Sequence, residues 1–210
     1  MAALLIFCLL LSLTGCGLSE DPVLTYLVSV TAEDTSGSGI LYETDENCLY
    51  VLTAAHVLSG SKEDGSVVVR FYDGWEISCG NIRFSQTSDL ALIEIAADQV
   101  PKRQRYSCAS WDKESFDGLQ TGAECTAVGS VKDSGCVRYE GRILDPWIYM
   151  EDYNQYMIWA DAHVQPGMSG GGLLDGEGRL LGILSGGSED GELAAVPLSL
   201  VLQFMTDLGR

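Results

Sequence analysis

From about residue 25 onward the chain repeats one pattern: a short apolar segment, then a turn signal, then another apolar segment. The segments read "YLVSVTA", "SGILYET", "CLYVLTAAHV", "SVVVRFYDG", "WEISCGNIRF", "LALIEIA", "ECTAVGS", "VRYEGRIL", "YMIWADA", "GGLLDGEG" and "LLGILSGG". Their length and their content of Val, Ile, Leu and Tyr mark strands. Between them, Asp73-Gly74, Asp117-Gly118, Ser134-Gly135, Asp175-Gly176 and Asp190-Gly191 fit hairpin and loop turns. The fold class is therefore all-β. About a dozen strands in this length suit two small barrels better than one sandwich.

The strand signal is weakest between Asp98 and Leu119, where Pro101 and most of the local charge fall. A lobe boundary is expected there, near 105–115, giving an N-terminal barrel over about 25–108 and a C-terminal barrel over about 109–198. At the end of the chain Leu198, Val201, Leu202 and Met205 keep a three-four spacing behind Pro197, which a first helical turn tolerates. A short helix over about 197–208 follows.

Composition narrows the class. The chain has 210 residues, 46% apolar and 20% charged, enough to bury a core. Twelve Lys and Arg stand against thirty Asp and Glu, a net charge of −18 with no basic run, so nucleic acid is a poor partner. The segment from Ala2 to Leu13 is apolar but shorter than the roughly 20 residues that cross a bilayer, and it reads as the core of a signal peptide. Leu13-Thr14-Gly15-Cys16 resembles the lipobox of bacterial lipoproteins. That resemblance implies a signal peptide over 1–16, a lipid on Cys16 that anchors the chain to the outer face of a membrane, and a linker over 17–24. No Lys or Arg precedes the apolar run, which keeps an ordinary secretory signal as the alternative.

Seven cysteines lie at 8, 16, 48, 79, 108, 125 and 136, the first two in the export segment. Five are left, an odd number, and none has the spacing of a metal site. No metal or other cofactor is expected. Cys125 and Cys136 flank an expected hairpin and are candidates for a disulfide; the alternative is that they pack as free thiols.

Candidate chemistry starts at "QPGMSGGG", residues 165–172, where Ser169 is either part of a tight glycine turn or a nucleophile. Only two histidines exist. His56 closes an apolar strand and leads into a helical turn, and Asp89 stands just before another strand. Taken singly, each has an ordinary structural reading. Taken together they occur in the order His, Asp, Ser, that of chymotrypsin-type enzymes. The sequence resembles the trypsin-like serine peptidases, most closely the bacterial HtrA/Deg type. The matching pieces are "GSG" at 37–39, "LTAAHV" at 52–57, "SDLALIEI" at 88–95, "GAECTAVGS" at 122–130, "DAHVQPGMSGG" at 161–171, "GILSGG" at 182–187 and "AAVP" at 194–197.

The resemblance implies two six-stranded antiparallel β-barrels with the active site between them. Ser169 would be the nucleophile, His56 its base and Asp89 the residue that orients His56. It also implies an oxyanion hole from the backbone N–H groups of Gly167 and Ser169. "GILSGG" would pair with the backbone of a polypeptide substrate. One wall of the specificity pocket would be Ser185, Gly186 and Gly187, and the other Leu193, Ala194 and Ala195, which favours a small or medium apolar side chain. His163, six residues before Ser169, is placed at the base of that pocket; it either narrows and polarises the pocket or is a partly buried structural residue. Met168 departs from the digestive enzymes, where an aspartate at that place pairs with a newly cut N-terminus, so no activation of that kind is expected. The chain reaches Arg210 without the PDZ module that often follows this domain, and no control through such a module is expected. The function read from these residues is an exported serine endopeptidase that works through an acyl-enzyme. The rival is a catalytically silent member of the same fold that binds extended peptides or a partner protein. Nothing in the sequence speaks to oligomeric state.

Overall fold

The structure, a computed structural model, describes residues 21–59, 67–101, 103–188 and 190–210. The expected signal segment and Cys16 lie outside the described residues.

The N-terminal lobe is built from β1 (Leu27–Ala32), β2 (Thr35–Thr44), β3 (Cys48–Thr53), β4 (Val67–Arg70), β5 (Glu76–Cys79), β6 (Ile82–Phe84) and β7 (Ala91–Ala96). They form one antiparallel sheet in the order β5-β4-β1-β2-β3-β7-β6. Its two edge strands are consecutive in the chain, separated only by Gly80 and Asn81. The expected fifth strand, "WEISCGNIRF", is thus broken at a glycine, where a strand loses side-chain packing. Its halves are the two opposite edges of the sheet, joined to one another only through the backbone. The Asn81 carbonyl, accepting from Glu94 N–H at 3.0 Å, ties the break to β7.

The C-terminal lobe is a closed barrel of β8 (Glu124–Val131), β9 (Gly135–Met150), β10 (Gln155–Ala160), β11 (Gly172–Asp175), β12 (Leu180–Gly187) and β13 (Leu193–Pro197), in the order β10-β13-β12-β11-β8-β9. β9 runs well past the "VRYEGRIL" segment, through Pro146. Proline is tolerated because Pro146 lies beside a bulge, where the pairing of β10 slips between Met157 and Trp159. The segment between the lobes holds a short helix, α1 (Lys113–Asp117), capped by Asp112, whose carboxylate accepts from the N–H groups of Glu114 and Ser115. The last helix, α2 (Leu198–Asp207), buries Leu198, Val201, Phe204 and Met205.

Both lobes share one continuous apolar core. Ala109 N–H donates to Leu41 O at 2.9 Å and Leu180 N–H to Ser110 O at 2.8 Å, which fastens the connecting segment to each lobe in turn. Of the two readings of Cys125 and Cys136, the disulfide falls and the free thiols hold. Cys125 pairs with Gly141 and Cys136 with Ser130, so they sit five rungs apart on the β8–β9 ladder, about 17 Å at strand spacing. A disulfide needs Cα atoms within about 7 Å. All five cysteines among the described residues are free thiols.

Candidate active site

His56 and Asp89 are brought together by two neighbouring strands of the N-terminal lobe. β3 and β7 pair over their whole length, Thr53 opposite Ala91. His56 follows β3 in a single 3-10 turn, Ala55–Leu58, whose Val57 and Leu58 are buried and leave the imidazole outside. Asp89 precedes β7 in a loop organised by Ser85, which accepts the N–H groups of Thr87 and Ser88 on its hydroxyl and donates its own N–H to Leu90 O. His56 Nδ1 lies 2.7 Å from Asp89 Oδ2, and His56 N–H donates to Asp89 Oδ1 at 2.9 Å. The imidazole is 47% exposed and the carboxylate 19%.

This pairing shifts both groups. The hydrogen bond to Asp89 raises the pKa of His56 above the usual histidine value, against the opposing effect of burial. Burial pushes Asp89 upward, but hydrogen bonds from His56 and Ser185 and the His56 charge outweigh it, and the carboxylate stays below its ordinary value. The imidazole Nδ1 is thereby engaged, and Nε2 is left to exchange a proton in the cleft.

Ser169 faces this pair from the other lobe. Its hydroxyl donates to the Ser185 carbonyl at 3.4 Å, while the Ser185 hydroxyl donates to Asp89 Oδ2. Ser185 is the residue at which β12 slips register against β13, between Leu184 and Gly186, and such a bulge re-aims a side chain. No hydrogen bond from Ser169 to His56 is present among the described residues; such bonds are often long or misaligned before substrate binds. Gln165 to Met168 form a turn closed by Met168 N–H donating to Gln165 O at 3.1 Å, with Pro166 second and Gly167 third at φ +96°. That is the type II signature, and only glycine takes such a φ without strain. Met168 is 1% exposed. It lies against Gly129 of β8, where a Cβ would come within 2.7 Å of its Cγ.

A cleft of about 370 Å³ opens beside Ser169, lined by Val164, Pro166, Met168, Leu184, Gly186 and Gly187 together with His163, Gln165 and Ser188. A groove of about 790 Å³ lies elsewhere between the lobes, lined in part by the β1–β2 and β8–β9 turns; it lacks Ser169, His56 and Asp89. Of the two, only the smaller cleft is bordered by Ser169. Two expectations change here. Leu193, Ala194 and Ala195 are buried on β13, one strand behind Gly186 and Gly187, and do not line the cleft. His163 borders the cleft but is exposed, its ring edge-on to Tyr139 with centroids 4.7 Å apart, so it is neither the pocket's base nor a buried histidine.

One neighbour was not legible in the sequence. Tyr153, in the turn after β9, places its hydroxyl where the side chain of residue 186 would begin; a Cβ on Gly186 would meet it at 2.3 Å. Burial, then the charges of Asp89 and Asp152, raise its pKa.

The two barrels and the facing histidine, aspartate and serine define a class, and the profile of the trypsin-like peptidase domain matches residues 37–183. The chain belongs to that family. It is similar to "Serine protease Do-like HtrA" of Bacillus subtilis (strain 168), 30% identical over 168 residues, covering 75% of this chain and 35% of the relative. It is also similar to "Probable periplasmic serine endoprotease DegP-like" of Hahella chejuensis, 31% identical over 185 residues, covering 83% of this chain and 35% of the relative. The solved structure "HtrA-type protease AlgW with tripeptide" matches with a TM-score of 0.72 at 25% identity, over 89% of this chain and 61% of that one. The chain spans about a third of the length of these curated relatives.

Proposed function

We propose that the protein is an exported serine endopeptidase in which Ser169 attacks the scissile carbonyl, His56 takes and returns the proton, and Asp89 holds the imidazole. The observation that carries this reading is the 2.7 Å contact of Asp89 with His56 Nδ1, with Ser169 facing it across the lobes and linked to the same carboxylate through Ser185. In the reaction the Ser169 hydroxyl turns from the Ser185 carbonyl toward His56 Nε2, and its oxygen bonds to the carbonyl carbon as the proton moves to the imidazole. The C–N bond then breaks, and the amine leaves with that proton. Water repeats the sequence on the acyl-enzyme, with His56 again as base. The N–H groups of Gly167 and Ser169 receive the developing oxyanion. Nothing in this chemistry calls for a metal or cofactor.

A polypeptide pairs with the edge at Ser185 to Gly187, and its side chain before the scissile bond enters the cleft between Val164, Met168 and Leu184. These surroundings favour a medium apolar residue. The "LTGC" segment supports export with lipid on Cys16; lipoprotein processing supplies the several acyl chains that stable anchoring needs. Membrane partition that Cys16→Ser abolishes is the expected outcome, and equal soluble secretion of both forms would remove the anchor from the account.

The deciding experiment for the activity is cleavage of an unfolded protein at pH 8 by the full chain. Wild type cleaves it, while Ser169→Ala and His56→Ala, still folded by circular dichroism, do not. A folded wild type that binds peptide without cutting it would make the protein a peptide-binding member of the family instead.

A further inference from the structure

The oxyanion turn has to be held in place, and Met168 cannot form the ion pair with a new N-terminus that holds it in the digestive enzymes. The residue that grips this turn is Ser38 of β2, in the other lobe. Its side chain is fully buried. Its hydroxyl donates to Gly167 O at 2.7 Å and accepts from Ser130 N–H at 2.8 Å, and its own N–H donates to Ser169 O at 2.7 Å. Its carbonyl accepts from the hydroxyl of Thr53, three residues before His56, at 2.7 Å.

These bonds fall on alternate peptide planes of the turn. In the plane joining Gly167 to Met168, the carbonyl is held by the Ser38 hydroxyl and the N–H by Gln165 O. The plane joining Ser169 to Gly170 has its carbonyl on Ser38 N–H and its N–H on Leu184 O. Between and before them lie the two planes that carry the Gly167 and Ser169 N–H groups, which among the described residues donate to no protein acceptor and so remain available to a substrate oxygen. We propose that Ser38 is a positioning residue for catalysis: by gripping the carbonyls of residues 167 and 169 it sets the two oxyanion donors at a fixed distance from the strand that leads to His56.

This inference rests on the proposed function. A hydroxyl that only packed the lobe interface would affect stability. One that aims the oxyanion donors affects the transition state, where charge sits on that oxygen, and leaves ground-state binding alone. The test compares wild type, Ser38→Ala and Ser38→Thr on a peptide amide substrate, with a peptide boronate and the matching peptide acid as ligands. Ser38→Gly stands in should the alanine variant not fold. For the variants lacking the hydroxyl, kcat falls about 10- to 100-fold, below the full loss of a donor. KM stays within about twofold, and boronate affinity falls with kcat while peptide-acid affinity holds. Ser38→Thr, which keeps the hydroxyl, recovers most of kcat. A folded variant without the hydroxyl but with wild-type kcat, or a loss carried by KM, overturns the inference alone. An inert wild type overturns the proposed function and the inference with it.

Discussion

The imidazole of His56 is held from one side by a carboxylate that also faces Ser185, and this sets how the site responds to pH. The pKa of His56 is raised, so the neutral base is lost on acidification at a pH above the ordinary histidine value of about 6.5. The rate profile of kcat/KM is expected to fall on the acid side with its midpoint above 6.5; a midpoint at or below 6.5 would count against the pairing. Stability runs the other way. A raised histidine pKa contributes stability that is complete below 6.5 and is lost as pH rises through the folded value, so His56→Ala should cost more at pH 5.5 than at pH 9. Asp89, with its pKa lowered, contributes above the unfolded value near 3.9 and loses that contribution as pH falls through the folded one. Asp89→Asn keeps the shape and offers the wrong hydrogen-bonding partner, and kcat should drop by about 10⁴. The three residues proposed to react could be singled out in the sequence because histidine is so scarce and the order of the three is distinctive, and the structure pairs His56 with Asp89. The Ser185 contact with Asp89 was not: it joins residues 96 apart, and its direction depends on a bulge that no pattern of apolar residues announces.

Strands and turns were read well wherever one apolar segment made one strand. The misreadings come from elements whose limits depend on pairing. Gly80 divides one apolar segment between two edges, Pro146 sits inside a strand because the bulge opposite relieves its missing N–H, and Asp112 starts a five-residue helix too short to show a period. The lining of the pocket failed for a related reason: Leu193 to Ala195 were placed at the cleft, but β13 is the next strand of the same barrel, paired beyond Gly186 and Gly187, and its residues are buried. The turn that carries Ser169 depends on packing as well as hydrogen bonds. Met168 fills the space over Gly129, and Met168→Ala leaves a cavity there, at a cost of about 2–4 kcal/mol in urea unfolding. An unchanged midpoint would mean that the turn does not depend on this contact.

At the scale of the whole molecule, two barrels share a core and place the histidine and aspartate on one, the serine on the other. A cysteine count alone left the disulfide question open; strand register answers it for Cys125 and Cys136, and all five described cysteines are free. In denaturant without reductant, all five thiols at 48, 79, 108, 125 and 136 should alkylate. In the native protein Cys79 and Cys125 should react slowly, since burial lifts their pKa to about 11 and about 12. Protection of Cys125 with Cys136 in denaturant would contradict the β8–β9 register, and protection of any other pair the free thiols. The central claim is that this arrangement activates Ser169, and a fluorophosphonate probe tests it most directly, because it bonds to an activated serine and not to an ordinary hydroxyl. The full chain is expected to take up one probe, on Ser169, at pH 8, with labelling lost in Ser169→Ala and His56→Ala. A folded wild type that stays unlabelled, or a label that persists in Ser169→Ala, would contradict the account.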